Sequence, residues 1–216
     1  MTDSFRQSLE AGARLLGVSP EPVQLDQMLA YLGLLEKWAK VYNLTALRER
    51  QEMLTHHLLD SLALITPLRR HLQTLEGAVR LLDVGSGAGL PGVVVAICCP
   101  QVAVTSVDAV AKKAAFITQV ALTLRLPNLS GQHARVETLQ DNFDIITSRA
   151  FASLADFTAW SANVLAEGGV WVAMKGKLPE QEIAELPTSV TVFHVERLQV
   201  PGLDAERCLV WISCSR

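Results

Sequence analysis

The sequence predicts an α/β protein: a mostly parallel sheet with helices on both faces, an antiparallel hairpin at its C-terminal end, and a helical extension in front. Three observations carry this. From Val79 onward, short β-rich runs alternate with helix-period runs, the pattern of a sheet assembled from βα units. Residues 81–92, LLDVGSGAGLPG, set a glycine-rich loop between one such strand and the next helix. The last two β-rich runs, 191–200 and 207–214, are joined by only Pro-Gly-Leu-Asp-Ala-Glu, a link too short for a parallel crossover.

The extension is assigned to residues 1–77. Leu25, Met28, Leu29, Leu32, Leu35, Trp38, Ala39 and Tyr42 keep the i, i+3, i+4, i+7 rhythm of an amphipathic helix. A second helix is expected over 51–64, with Met53, Leu54, His57, Leu58, Ser61, Leu62 and Ile65 on one side; Pro67 ends it or lies just beyond its end. The polar stretch YNLTALRER links the two. Residues 78–216 form the α/β unit. Strands are expected at 79–84, 102–108, within 129–136, at 143–148 and at 168–176. Helices are expected at 91–99, 111–126, 153–165 and 179–186, before the hairpin.

Half of the 216 residues are hydrophobic, which suits one compact domain with a full core. The net charge is −3, so a nucleic-acid partner must be held by a local basic patch. The opening stretch MTDSFRQSLEAGARLLG lacks an apolar h-region after a basic one, and no secretory signal is expected. No uncharged apolar run reaches about 18 residues, so no membrane span is expected either. Cys98, Cys99, Cys208 and Cys214 form no Cys-x-x-Cys pair and are read as buried free thiols of a cytoplasmic protein. His56 and His57 are adjacent and lack acid or thiol partners at ligand spacing, so no metal site is expected.

The loop satisfies Gly-x-Gly-x-x-Gly at Gly87, Gly89 and Gly92, weak evidence alone but better after a strand and before a helix. A pyrophosphate would need free N–H groups at the helix start, and Pro91 has none. Asp83, at the strand end, could accept hydrogen bonds from an ammonium and would repel a diphosphate. Both points favour S-adenosylmethionine (SAM), whose methionine end is cationic, over a dinucleotide such as NAD or a structural turn. The loop lacks the Gly-Lys-Ser/Thr ending of an ATP-binding P-loop. Asp108, about twenty residues beyond the loop, can accept ribose hydroxyls in either a SAM or an NAD site.

KVYNLTAL (40–47), HHLLDSL (56–62), LLDVGSGAGLPGV (81–93), ITSRAFASL (146–154), MKG (174–176) and LQVPGLDAERCLV (198–210) together resemble a known family. The chain is similar to class I SAM-dependent methyltransferases, with their Rossmann-like fold. More narrowly, it resembles the RsmG (GidB) family of bacterial 16S rRNA guanine-N7 methyltransferases. The resemblance implies that Gly85, Gly87, Gly89 and Leu90 hold the cofactor, that Val136 and Glu137 flank its adenine, and that Arg149 belongs to the same site. It implies S-adenosylhomocysteine as product and 16S rRNA as substrate, either free, in the 30S subunit or in an assembly intermediate. The enzyme is expected to be a monomer.

Residue chemistry is consistent with that reaction. Guanine N7 carries an in-plane lone pair, so no proton need leave before attack, and placement with desolvation can supply most of the rate. SRAFASL (148–154) stands where exocyclic amino methyltransferases commonly carry Asn/Asp-Pro-Pro-Tyr/Phe. Pyrimidine C5 methylation needs a nucleophilic cysteine, and none of the four is expected near a strand's C-terminal mouth. Arg149 reads either as a group orienting guanine O6, phosphate or cofactor or as half of an ion pair with Asp144 or Asp156. Candidate RNA contacts are Asn43, Arg48, His57, Lys112, Lys113, Lys175 and Lys177. Of these, His57 also reads as a packed core histidine, Asn43 as a turn residue, and the 112–113 lysine pair as a solvated helix face. The rivals are a SAM-dependent enzyme of small molecules or proteins, an NAD(P) oxidoreductase, and a non-catalytic RNA-binding protein.

Overall fold

The computed structural model describes residues 2–42 and 44–215. Two long helices, α1 (Thr2–Leu15) and α2 (Pro22–Tyr42), open the chain. α1 closes at Gly17, which has φ +71°; the amides of Gly17 and Val18 return to the carbonyls of Arg14 and Ala13, a left-handed helix stop that favours glycine. The Gln24 side-chain carbonyl accepts from the Glu21 amide at the start of α2, while its Nε2 donates to Ile97 O. Gln27 Nε2 donates to Leu124 O. These glutamines satisfy carbonyls that helix ends otherwise leave orphaned, tying the extension to the α/β unit.

The expected second helix runs as α3 (Arg50–Met53), a π-helical turn over Leu54–Leu59, and α4 (Asp60–Leu62). Pro67 lies beyond it, in the first turn of a further helix, α5 (Ile65–Leu72), where a missing N–H costs nothing. The α/β unit follows as β1 (Arg80–Val84), α6 (Gly92–Cys98), β2 (Ala103–Asp108), α7 (Ala111–Leu124), β3 (Leu129–His133) and β4 (Phe143–Arg149). It ends with α8 (Leu154–Ser161), β5 (Leu165–Lys175), α9 (Glu180–Ala184), β6 (Val190–Leu198) and β7 (Arg207–Cys214).

The seven strands form one sheet in the order β3-β2-β1-β4-β5-β7-β6. The first five are parallel, and β7 is antiparallel to both of its neighbours. The hairpin inserts its second strand first. Cys208 to Ile212 are all buried, whereas β6 is largely exposed or half-buried. The strand that is apolar on both faces takes the interior and the mixed one takes the edge.

Side chains alternate across β1. Leu81 faces a core shared with α2, α6 and α7; Leu82 faces one built from Ile146, Phe157 and Trp171. Tyr31 and Leu32 of α2 sit in the first of these cores. In the second, Trp171 Nε1 donates to Ser161 Oγ at 2.9 Å, so its burial leaves no orphan donor. Phe157 is 1 % exposed. Phe157→Ala is expected to lower stability by about 3–5 kcal/mol, read as a lower urea midpoint at an unchanged m-value.

Among the described residues no helix is long and apolar enough to cross a membrane. Cys98, Cys99 and Cys208 are buried, but Cys214, at the end of β7, is exposed, a correction to the expectation of four buried thiols.

Candidate functional site

The carboxyl ends of β1, β2, β4 and β5 meet along two contiguous cavities. The first, about 390 Å³, is lined by Gly85, Asp108, Val136, Glu137, Phe151 and Trp160 among others. The second, about 550 Å³, takes in Gly87, Leu90, His57, Asp60, Arg149 and Arg207. Gly85, Lys113 and Ala150 line both.

The loop glycines differ in what they do. All three of Gly85, Gly87 and Gly89 have positive φ, a conformation glycine adopts without a side-chain clash. A Cβ on Gly87 would meet nothing but the Gly85 carbonyl, at 3.9 Å, so a ligand can approach the backbone there. A Cβ on Gly85 would overlap the Phe151 ring. Gly89 is buried and lines neither cavity; a Cβ there would press on Val93 and Ile117. It packs against Val93 and Ile117, outside both cavities, where a ligand contact was expected.

Asp83 also departs from expectation. Its side chain is fully buried and lines neither cavity. Oδ2 accepts the Gly92 amide at 3.0 Å and the Ser106 hydroxyl at 3.5 Å. The carboxylate therefore organises the start of α6 from behind rather than meeting an ammonium directly. Burial pushes its pKa up to about 7. The same contacts disfavour a phosphate ligand. Pro91 has no N–H, the Gly92 N–H is taken by Asp83, and those of Leu90 and Val93 return to Ser86 and Gly89. Residues 90–93 therefore offer no donor to a pyrophosphate.

Asp108 is 6 % exposed. Its Oδ2 accepts the Gly87 amide at 3.0 Å and its Oδ1 the Val110 amide at 2.9 Å, with Lys113 Nζ at 3.5 Å. A carboxylate has about four acceptor sites, so the two oxygens can each accept a further hydroxyl from the first cavity. Val136 is buried and Glu137 exposed, and both line that cavity.

Arg149 ends β4 and reaches back to the extension. Its Nη1 donates to Asp60 Oδ2 and to His56 O, both at 2.9 Å. Arg207 Nε donates to Asp60 Oδ1 at 2.7 Å. The pairs weighed with Asp144 and Asp156 do not form: those side chains bond the Arg80 amide and Ser153. Asp60, with a 5 % exposed side chain, thus holds two guanidinium groups at the second cavity. Sequence reasoning missed Asp60 and Arg207, although both lie in stretches that carried the resemblance.

His57 is half-buried, its Nε2 within 2.8 Å of Thr45 Oγ1. Burial and then Arg149 lower its pKa to about 4. The unfolded chain therefore takes up a proton between pH 6.5 and 4 that native His57 refuses, and stability falls as pH drops through that window. Asp83 acts with opposite sign: its stabilising contribution is full below about pH 3.8 and lost as pH rises to about 7. His57→Gln is expected to become more stable relative to the parent by about 3 kcal/mol from pH 6.5 to 4. Urea denaturation across that range tests this; parallel curves would refute it.

Lys113 lines both cavities, whereas Lys112 and Lys177 are exposed and line neither. Lys175 lines the second, but its Nζ is engaged by Ala152 O at 2.9 Å and Glu182 Oε2 at 2.8 Å. It braces α9 rather than standing ready for phosphate. Arg48 lies away from both cavities, near Ala39 and Leu47, and Asn43 lies outside the described residues. Cys208 pairs with Lys175. That puts it at the mouth of the sheet, where no cysteine was expected, because β7 runs opposite to β5. Burial raises its pKa, which keeps the thiol protonated and a poor nucleophile.

This sheet order, with a glycine loop after β1 and an acid ending β2, defines a class I SAM-dependent methyltransferase fold. TrmN from Thermus thermophilus superposes with a TM-score of 0.56 at 17 % identity, covering 75 % of this chain and 53 % of that one. A ribosomal protein L11 methylase from Lactobacillus delbrueckii gives 0.54 at 17 % identity, covering 78 % and 80 %. The family described as rRNA small subunit methyltransferase G (GidB) matches residues 24–210. Ribosomal RNA small subunit methyltransferase G of a Polaromonas species is 66 % identical over 210 residues, covering 96 % of this chain and 93 % of the relative. Its Acidovorax counterpart is 62 % identical over 215 residues, covering 97 % and 95 %. The chain belongs to the rRNA small subunit methyltransferase G family.

Proposed function

We propose that the protein transfers a methyl group from SAM to N7 of a guanosine in 16S rRNA. The observation that carries this reading is the pairing of two joined cavities: one that offers the Asp108 carboxylate to a nucleoside, the other walled by fixed guanidinium groups. Gly85, Gly87, Leu90, Asp108, Val136 and Glu137 would hold the cofactor, with Arg149 at its methionine end. Bound SAM supplies an electrophilic methyl on a sulfonium and leaves as S-adenosylhomocysteine.

The second cavity favours a nucleophile that needs no base. His57 has its ring nitrogen bonded to Thr45 and a pKa far below neutrality, and Asp60 is bonded on both oxygens by arginines. Guanine N7 fits, because its lone pair is already exposed. Arg149 can donate to guanine O6, as arginine commonly does. In this reading the enzyme works as a monomer in the cytoplasm, on 16S rRNA that is free, in the 30S subunit or in an assembly intermediate.

The test incubates the protein with radiolabelled SAM and rRNA, free and in 30S particles, from cells lacking this protein, and maps the label. One N7-methylguanosine in 16S rRNA is expected. No transfer to any rRNA, with SAM bound normally, would refute the substrate.

A further inference from the structure

A further cavity lies beside the transfer cleft and is not used by the reaction as described. It measures about 810 Å³ and is formed by the β6–β7 connection, the end of α1 and the loop after β5. It shares Gly176 and Arg207 with the second cavity. A Cβ on Gly176 would meet nothing within 4 Å, so the space beside this shared residue is open. Arg207 stands at the junction.

Arg207 is held there, not merely present. Its Nε donates to buried Asp60, and its Nη1 donates to Glu206 O at 2.8 Å. Its Nη2 has no protein acceptor among the described residues, and the side chain is 23 % exposed. Asp60 cancels one positive charge of the two arginines it joins, which leaves a net cation at the junction. The larger cavity itself is different in character. Leu178, Leu198, Val200, Pro201 and Leu203 give it apolar walls, while its charged residues besides Arg207 are Arg197, Asp204 and Glu206. With Arg207 the lining balances two cations against two carboxylates, and apolar faces with carboxylate acceptors suit a nucleobase.

We propose that Arg207, set by Asp60, grips the RNA phosphate next to the target guanosine, and that the adjoining cavity receives the base of the flanking nucleotide. The inference rests on the proposed rRNA substrate. Asp60 is then a positioning residue: it fixes the guanidinium before RNA arrives, which lowers the ordering cost of binding. Flanking-base recognition would add to selectivity without touching the methyl donor.

The experiment uses the full chain with 30S particles from cells lacking this protein. SAM affinity, kcat, the KM for particles and its salt dependence are measured for the parent, Arg207→Gln, Arg207→Lys and Leu203→Trp. Arg207→Gln should raise the KM roughly tenfold or more, reduce the salt slope by about one phosphate contact, and leave SAM affinity unchanged. Arg207→Lys should restore the salt slope. Leu203→Trp, which fills the cavity and leaves the cation in place, should raise the KM with the salt slope unaltered. An unchanged KM and salt slope in Arg207→Gln would overturn the phosphate contact. A normal KM in a folded Leu203→Trp would overturn the base pocket. A parent protein that binds SAM but methylates no rRNA would remove the proposed substrate and this inference together.

Discussion

Arg149→Ala is expected to lower kcat/KM for methyl transfer by about two to three orders of magnitude, the loss typical when one preorganised donor leaves a site. The guanidinium lines the second cavity and is anchored at 2.9 Å by both Asp60 and His56 O. It is therefore already ordered before substrate binds, so the interaction costs little reorganisation. The fold should survive. Asp60 is buried and would be expensive to leave unpaired, but Arg207 still donates to its other oxygen at 2.7 Å. The neighbouring His57 should respond as well, because Arg149 is one cause of its low pKa; removing the cation lets that pKa rise. Single-turnover transfer, a melting curve and a histidine NMR titration on one preparation separate these effects. A folded variant with normal turnover would take Arg149 out of the site.

The periodicities that define the sheet and its helices were plain in the sequence because each element buries one regular face. What the sequence left open was direction and distance. Asp83 was legible as a strand-end acid, and sharing Leu81's face of the strand could have shown that it lies against α6. There Gly92 has no side chain to exclude it, and the buried carboxylate accepts the Gly92 amide. Lys175 was legible as a cation at the mouth, but its partner Glu182 lies on a short helix after the strand, whose packing no local pattern predicts. The Asp60–Arg207 pair joins residues 147 positions apart. Neither residue is unusual locally, and only the return of β7 beside β5 brings them together. The hairpin illustrates the same limit: the short link foretold antiparallel pairing, while burial decided which strand went inside.

Gly85→Ala is expected to weaken SAM binding by at least about a hundredfold, a little under 3 kcal/mol. Two costs coincide at this position. The backbone sits at φ +63°, which a residue with a Cβ tolerates at about 1 kcal/mol or more. The new methyl also overlaps the Phe151 ring, and that ring is part of the wall of the first cavity and packs edge-on against Trp160. Relief of the overlap must move either the loop or the wall, and each contributes to the cofactor site. Two companion substitutions separate the causes. Gly77→Ala carries the same backbone strain at φ +81° with nothing within 4 Å and no place in either cavity; it should lose a little stability and no SAM affinity. Gly87→Ala has φ +58° and no side-chain clash, but its methyl would occupy space open to the ligand, so affinity should fall more than stability. Equilibrium dialysis with labelled SAM and urea denaturation give the two readouts. If Gly85→Ala binds SAM as the parent does, the wall formed by Phe151 is not part of the cofactor site, and the first cavity loses its assignment.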